Sequence, residues 1–167
     1  MQQVIFLDID GVLSTDKSDW NKFQINIDGM KIEMPYSWYK PAIDSLNNIL
    51  TQFPDIKIIM TSDWILYWSL EEIDKMFKYY GLPEGRIIDK IDKTIQKFSQ
   101  SFEGARTDQI LEYIKSKLKE DDKWLVIDDY KLFSKKEGYD NNFVHVLDHF
   151  NEGLASVEQQ IIEKLKL

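Results

Sequence analysis

At 167 residues and 43% apolar content, the chain can bury one sizeable core but is too short for two full domains. It has no cysteine, which excludes disulfides, thiol nucleophiles and thiolate metal sites; only His145 and His149 could offer imidazole, so zinc is not expected. A net charge of −8 argues against broad attraction to nucleic-acid backbone or anionic lipid, no apolar run nears the ~20 residues of a membrane helix, and the start reads as a strand rather than a signal peptide, so a cytoplasmic protein is expected.

The first element is a strand over residues 3–8. Val4 to Leu7 form a continuous apolar run suited to a sheet covered on both faces, and the run ends in Asp8, Asp10 and Gly11. A polar and aromatic stretch, Ser14 to Tyr39, follows; Asp28-Gly29 between alternating segments marks a hairpin, so a small flap is expected at about 14–40. From Pro41, residues Ile43, Leu46, Ile49 and Leu50 fall on one helical face, and the helix stops near Phe53-Pro54. A second buried strand, Ile56 to Met60, ends at Thr61-Ser62-Asp63-Trp64. Leu70 to Tyr80 reads as a helix closed by Gly81 and Pro83. Residues 84–105 read as irregular with a short strand at Arg86-Ile87-Ile88. A helix over Asp108 to Leu118, capped by Arg106 or Thr107, leads to a third buried strand, Trp124 to Ile127, which ends in Asp128-Asp129. A last strand, Phe143 to Leu147, precedes a helix from about Ser156, with Ser156 and Gln159 spaced as a capping box. There is no internal repeat or low-complexity linker, so residues 1–167 read as a single domain with one small insertion.

Three strands thus finish in polar residues: Asp8/Asp10, Thr61/Ser62 and Asp128/Asp129. In open α/β sheets ligands bind beyond the carboxyl ends of strands, so these three endings are expected to meet. Carboxylates at i and i+2 of a strand point the same way and repel unless a cation lies between them. Mg²⁺ suits such a site, because it takes oxygen ligands and keeps positions for water and phosphate. The expected metal set is Asp8 and Asp10 with a further contribution from Asp128 and Asp129. In that setting Asp8 attacks phosphorus, and Asp10 protonates the leaving group and later deprotonates water. Thr61 or Ser62 donates a hydrogen bond to the phosphoryl group, and Gly11 lets the backbone approach it. A cation must also offset charge on the phosphoryl oxygens; Arg106 is the first choice, with Lys93 and Lys97 behind it.

The ordinary readings of these residues are helix caps for Thr61 and Ser62, a turn for Asp128-Asp129 and an exposed side chain for Arg106. For Thr61, Ser62 and Asp128-Asp129 they lose ground because these residues all follow strand ends in one chain; for Arg106 the two readings stand level. His145 and His149 lack the spacing of a metal pair. Trp64, Tyr67 and Trp68 read as packing, whereas Trp20, Trp38 and Tyr39 of the flap are better placed to touch a substrate.

At Asp8-Ile9-Asp10-Gly11-Val12-Leu13, then Thr61 or Ser62, then a basic residue, then Asp128-Asp129, the chain resembles the haloacid dehalogenase (HAD) superfamily from residue 4 to about 150. Within it, Thr61-Ser62-Asp63-Trp64, Gly81-Leu82-Pro83, Arg106 ahead of Ile110, Val126 to Asp129 and Gly153-Leu154 are similar to the HAD domains of bacterial and phage RNA-repair proteins. The resemblance implies an α/β, Rossmann-like three-layer α/β/α sandwich with a mainly parallel central sheet and a small cap after the first strand. It also implies a Mg²⁺-dependent phosphomonoester hydrolase acting on a phosphorylated small molecule or a nucleic-acid end. Most of the superfamily has lysine where Arg106 is placed, and arginine can bind phosphate with two donors. Asp10 favours ester hydrolysis over carbon–halogen chemistry, whose family members lack the second aspartate. Two other readings stand beside this one: a receiver-like phospho-aspartate signalling domain, against which the early position of the Asp-x-Asp motif argues, and a non-catalytic binding module.

Overall fold

The computed structural model describes residues 1–95, 101–133 and 138–167. Five parallel strands form one sheet in the order β5-β4-β1-β6-β7: β1 (Gln3–Leu7), β4 (Lys57–Met60), β5 (Ile87–Lys90), β6 (Lys123–Asp128) and β7 (Phe143–His145). β1 is central, and Val4, Ile5, Phe6 and Leu7 are fully buried because helices cover both faces. The helices are α1 (Lys40–Gln52), α2 (Leu70–Tyr79), α3 (Phe102–Lys117) and α4 (Glu158–Lys166). Right-handed crossovers put α1 and α2 on one face, and the reversed jump from β5 back across β1 to β6 puts α3 on the other. Accordingly α1 contacts α4, while Tyr113 of α3 sets its ring edge-on to Phe6 at 5.5 Å. The result is a three-layer, Rossmann-like α/β sandwich.

Register is what makes the site. Leu7 lies opposite Met60 on one side and Ile127 on the other, so the next residues, Asp8, Thr61 and Asp128, emerge level with one another. The ladder continues one step further, with Thr61 N donating to Leu7 O at 3.0 Å and Asp8 N to Ile127 O at 3.2 Å. The chain builds outward from β1 through β4 to β5, then restarts on the other side at β6, so Asp8 stands at the point where strand order reverses.

The flap is an antiparallel hairpin, β2 (Phe23–Ile27) and β3 (Met30–Met34), joined by Asp28 (φ 51°) and Gly29 (φ 79°), the pair of positive φ values that a two-residue hairpin turn requires. Ile25, Ile32 and Met34 are buried on its inner face. At the tip, Asp28 pairs with Lys75 (2.7 Å) and Lys78 (2.8 Å) of α2, which also reach Glu84.

Four expectations are corrected. α3 begins at Phe102, capped by Ser101 accepting from Gly104 N, so Arg106 lies inside the helix rather than capping it. α4 begins at Glu158 without a side-chain cap; the Ser156 hydroxyl donates to Gly153 O instead of closing a capping box. Trp38 is core, stacked on Tyr80 at 4.9 Å with Phe77 edge-on at 5.5 Å, and so does not face a substrate. The last strand also stops at His145, two residues short of Leu147, which is exposed.

Candidate active site

Asp8, the first residue past β1, is buried. Its Oδ1 accepts from Ile9 N at 2.8 Å, and its Oδ2 accepts from Arg106 Nη1 at 2.7 Å. The same Nη1 reaches Asp128 Oδ2 at 2.9 Å, so one buried guanidinium bridges the ends of β1 and β6. Burial opposes the charge on Arg106, but Asp8 and Asp128 outweigh it and hold the group more firmly protonated than usual. The guanidinium carbon also lies 4.8 Å from the centre of the Tyr130 ring, a cation–π contact.

Asp128 is completely buried, and its Oδ1 accepts from Tyr130 N at 2.9 Å. Burial and the neighbouring Asp8 push its carboxyl far up, against the pull of Arg106. Asp129 is raised to about 6, again by burial first and Asp8 second. Ligand oxygens of Asp8, Asp128 and Asp129 lie within 4.8 Å of one another, so this cluster could bind a metal ion. Three hard oxygen donors crowded together, two of them with raised carboxyls, are a setting that a divalent cation relieves. Gly11 makes the crowding feasible: it has φ 73°, and a Cβ there would stand 2.5 Å from Asp129 Oδ2.

Asp10 has different company. Its Oδ1 accepts from Ser14 Oγ (3.2 Å), from the Tyr36 hydroxyl and from Trp64 Nε1 (3.1 Å), while among the described residues Oδ2 has only a 3.3 Å contact from the same indole. It stands outside the triangle of Asp8, Asp128 and Asp129. Desolvation raises its carboxyl, with the Tyr36 hydrogen bond pulling the other way and Asp8 adding to the rise.

Thr61 and Ser62 part company. Ser62 Oγ accepts from Trp64 N at 3.4 Å and so caps the short 3-10 turn Asp63–Leu66. Thr61 is fully buried, and its hydroxyl has no hydrogen-bond partner among the described residues. Among the basic candidates, Arg106 meets Asp8 and Asp128, whereas Lys93 Nζ meets Asp63 Oδ1 at 2.7 Å. Burial, then Arg106, lowers the Lys93 ammonium. Lys97 lies outside the described residues. Sequence reasoning missed Ser14, Tyr36 and Trp64. Ser14 sits four residues after Asp10, a spacing that could have been noticed; the other two reach Asp10 from far along the chain.

A parallel α/β sheet with an acidic cluster at its switch point, a level hydroxyl and a buried guanidinium is the arrangement expected of a HAD-type hydrolase. A family model described as the HAD domain in Swiss Army Knife RNA repair proteins matches residues 4–158, and the chain belongs to that family. No match is found among curated proteins or among solved structures. No helix among the described residues is long and apolar enough to cross a membrane.

Proposed function

We propose that the protein is a Mg²⁺-dependent phosphomonoesterase, with residues 1–167 acting as one catalytic domain and the β2-β3 hairpin as its small cap. The observation that carries this reading is the unpartnered, fully buried Thr61 hydroxyl level with Asp8. An orphaned buried hydroxyl costs ~1–3 kcal/mol, a cost that a bound phosphoryl oxygen removes. Asp8, Asp128 and Asp129 would hold the cation, which when bound offsets charge on the phosphoryl oxygens.

Asp8 forms a bond to phosphorus as the ester P–O bond breaks, and the electron pair leaves with the alcohol oxygen, which takes a proton from Asp10. Water then attacks the aspartyl phosphate, giving a proton to Asp10; phosphate leaves and Asp8 is restored. Arg106 holds the Asp8 carboxylate in place beside Asp128. The family's description supports a nucleic-acid end as the substrate, and the open surface at Asp10 admits a bulky leaving group.

The test is hydrolysis, with Mg²⁺ and with chelator, of nucleotides, sugar phosphates, phosphopeptides and 3′- or 5′-phosphorylated oligonucleotides, beside Asp8→Asn. Cation-dependent turnover that disappears in Asp8→Asn is the expected result, with oligonucleotide ends preferred. Retained turnover in Asp8→Asn would overturn the mechanism. A long-lived phosphoprotein without turnover would favour the receiver-like reading.

A further inference from the structure

The two oxygens of Asp10 are unequally served. Three donors converge on Oδ1, one from each of three chain segments: Ser14 from the loop after β1, Tyr36 from the stretch after β3, and Trp64 from the turn after β4. Among the described residues Oδ2 has a single longer contact at 3.3 Å. The donors are themselves fixed. The Tyr36 ring lies between Trp20 (4.4 Å) and Trp64 (5.5 Å), and Trp64 is buried against Trp38 (5.7 Å) and stacked on Trp68 (4.6 Å). The hairpin preceding Tyr36 is anchored on α2 through Asp28 and by the Phe23 ring beside Tyr79 at 6.2 Å.

We propose that Tyr36 is a positioning residue for the general acid: with Trp64 and Ser14 it occupies Asp10 Oδ1, so that the transferable proton is carried on Oδ2 toward the leaving group. The inference rests on the function proposed above. An oxygen that already accepts three hydrogen bonds has no lone pair left for a proton, so the proton resides on the other oxygen. In the bond-breaking step the Oδ2–H bond breaks as the alcohol O–H bond forms, and the carboxylate that remains is stabilised by the same three donors. The hairpin therefore acts as a fixed part of the acid catalyst, linking the cap to the chemistry through one hydroxyl.

A positioning role leaves a signature that a structural role does not. A poor leaving group needs the proton more than a good one. For a series of aryl phosphates running from nitrophenyl to methoxyphenyl, kcat/KM reports the steps up to P–O cleavage. Tyr36→Phe removes only the hydroxyl and keeps the ring between Trp20 and Trp64. It is expected to lower kcat/KM about tenfold for the least acidic phenol and less than about threefold for nitrophenol, a share of the ~10²–10⁴ that acid–base catalysis supplies. The dependence on leaving-group acidity becomes steeper. An equal loss across the series, or none, overturns the inference. If Tyr36→Phe does not fold, Ser14→Ala decides: a steeper dependence supports the proposal and an unchanged one overturns it. Absence of hydrolysis by the unmutated protein across the whole series would instead sink the phosphomonoesterase reading.

Discussion

Asp8 and Asp10 are separated by one residue, yet the fold surrounds them with opposite kinds of partner. Asp8 is buried in an ionic setting, with Arg106 at 2.7 Å and two further carboxylates close by. Asp10 opens to the surface and is held by neutral donors, Ser14, Tyr36 and Trp64. A fixed cation holds a carboxylate in one orientation, which suits a nucleophile; neutral donors steer a carboxylate without forbidding its protonation, which suits an acid that must also act as a base. Under the proposed mechanism, identical side chains take separate roles from what the strands and the hairpin bring to them.

The largest effects test that division directly. Asp8→Asn should lower turnover of every ester by roughly 10⁴-fold or more, whereas the loss in Asp10→Asn should grow as the leaving group becomes less acidic, within about 10²–10⁴-fold. Equal losses on all esters in both variants would erase the distinction. Next comes stability: Arg106→Met removes the shared cation that pairs with the buried Asp8 and Asp128 and should cost about 3–5 kcal/mol in denaturant unfolding. Tyr36→Phe, on the half-exposed side, should cost no more than about 1.5 kcal/mol.

The acidic cluster also gives the metal-free protein a pH dependence with a definite sign. Asp129 rises from 3.8 to about 6 on folding, so the folded state holds its proton more tightly than the unfolded chain. That share of stability is complete below pH ~4 and is lost as pH rises through about 6, with Asp128 shifted in the same direction. Asp28, held at about 2 by Lys75 and Lys78, acts below this window. Mg²⁺ needs the ionised carboxylates, so the gap between thermal midpoints measured with Mg²⁺ and with chelator should widen from pH 4 to 7. A constant gap would remove Asp129 from the cation site. Gly11, which directly follows Asp10, offers a further test. Gly11→Ala forces a side chain into positive φ and against Asp129, and should cost ~1–3 kcal/mol while weakening Mg²⁺ binding by calorimetry.

Much of this arrangement was legible from residue order alone. β1, the Asp28-Gly29 hairpin, α1 after Pro41 and the polar strand ends follow from local pattern, and parallel pairing brings the strand ends together without further information. The start of α3 was hidden for a physical reason. Arg106, Thr107 and Gln109 are buried polar residues turned toward the interior, so the helix lacks an apolar stripe in its first turns, and its opening residues read as irregular chain up to Ala105. Trp38 misled because aromatic content alone cannot tell a substrate-facing ring from one stacked on Tyr80. The hold of Tyr36 and Trp64 on Asp10 left no local signal, since each spans more than twenty residues and depends on where the hairpin and the turn after β4 come to rest.

Gly153 has φ 54°, and a Cβ there would lie 2.5 Å from the Val12 carbonyl oxygen, which accepts from Leu154 N at 2.8 Å; Asp16 N in turn donates to Phe150 O at 3.1 Å. The loop that carries Asp10 is thus braced by a segment about 140 positions further along. During synthesis Asp8 and Asp10 emerge well before residues 150–154, and this support for their loop cannot exist until the later segment has left the ribosome. The order of translation itself delays the assembly of a competent centre until nearly all of these 167 residues are available to fold.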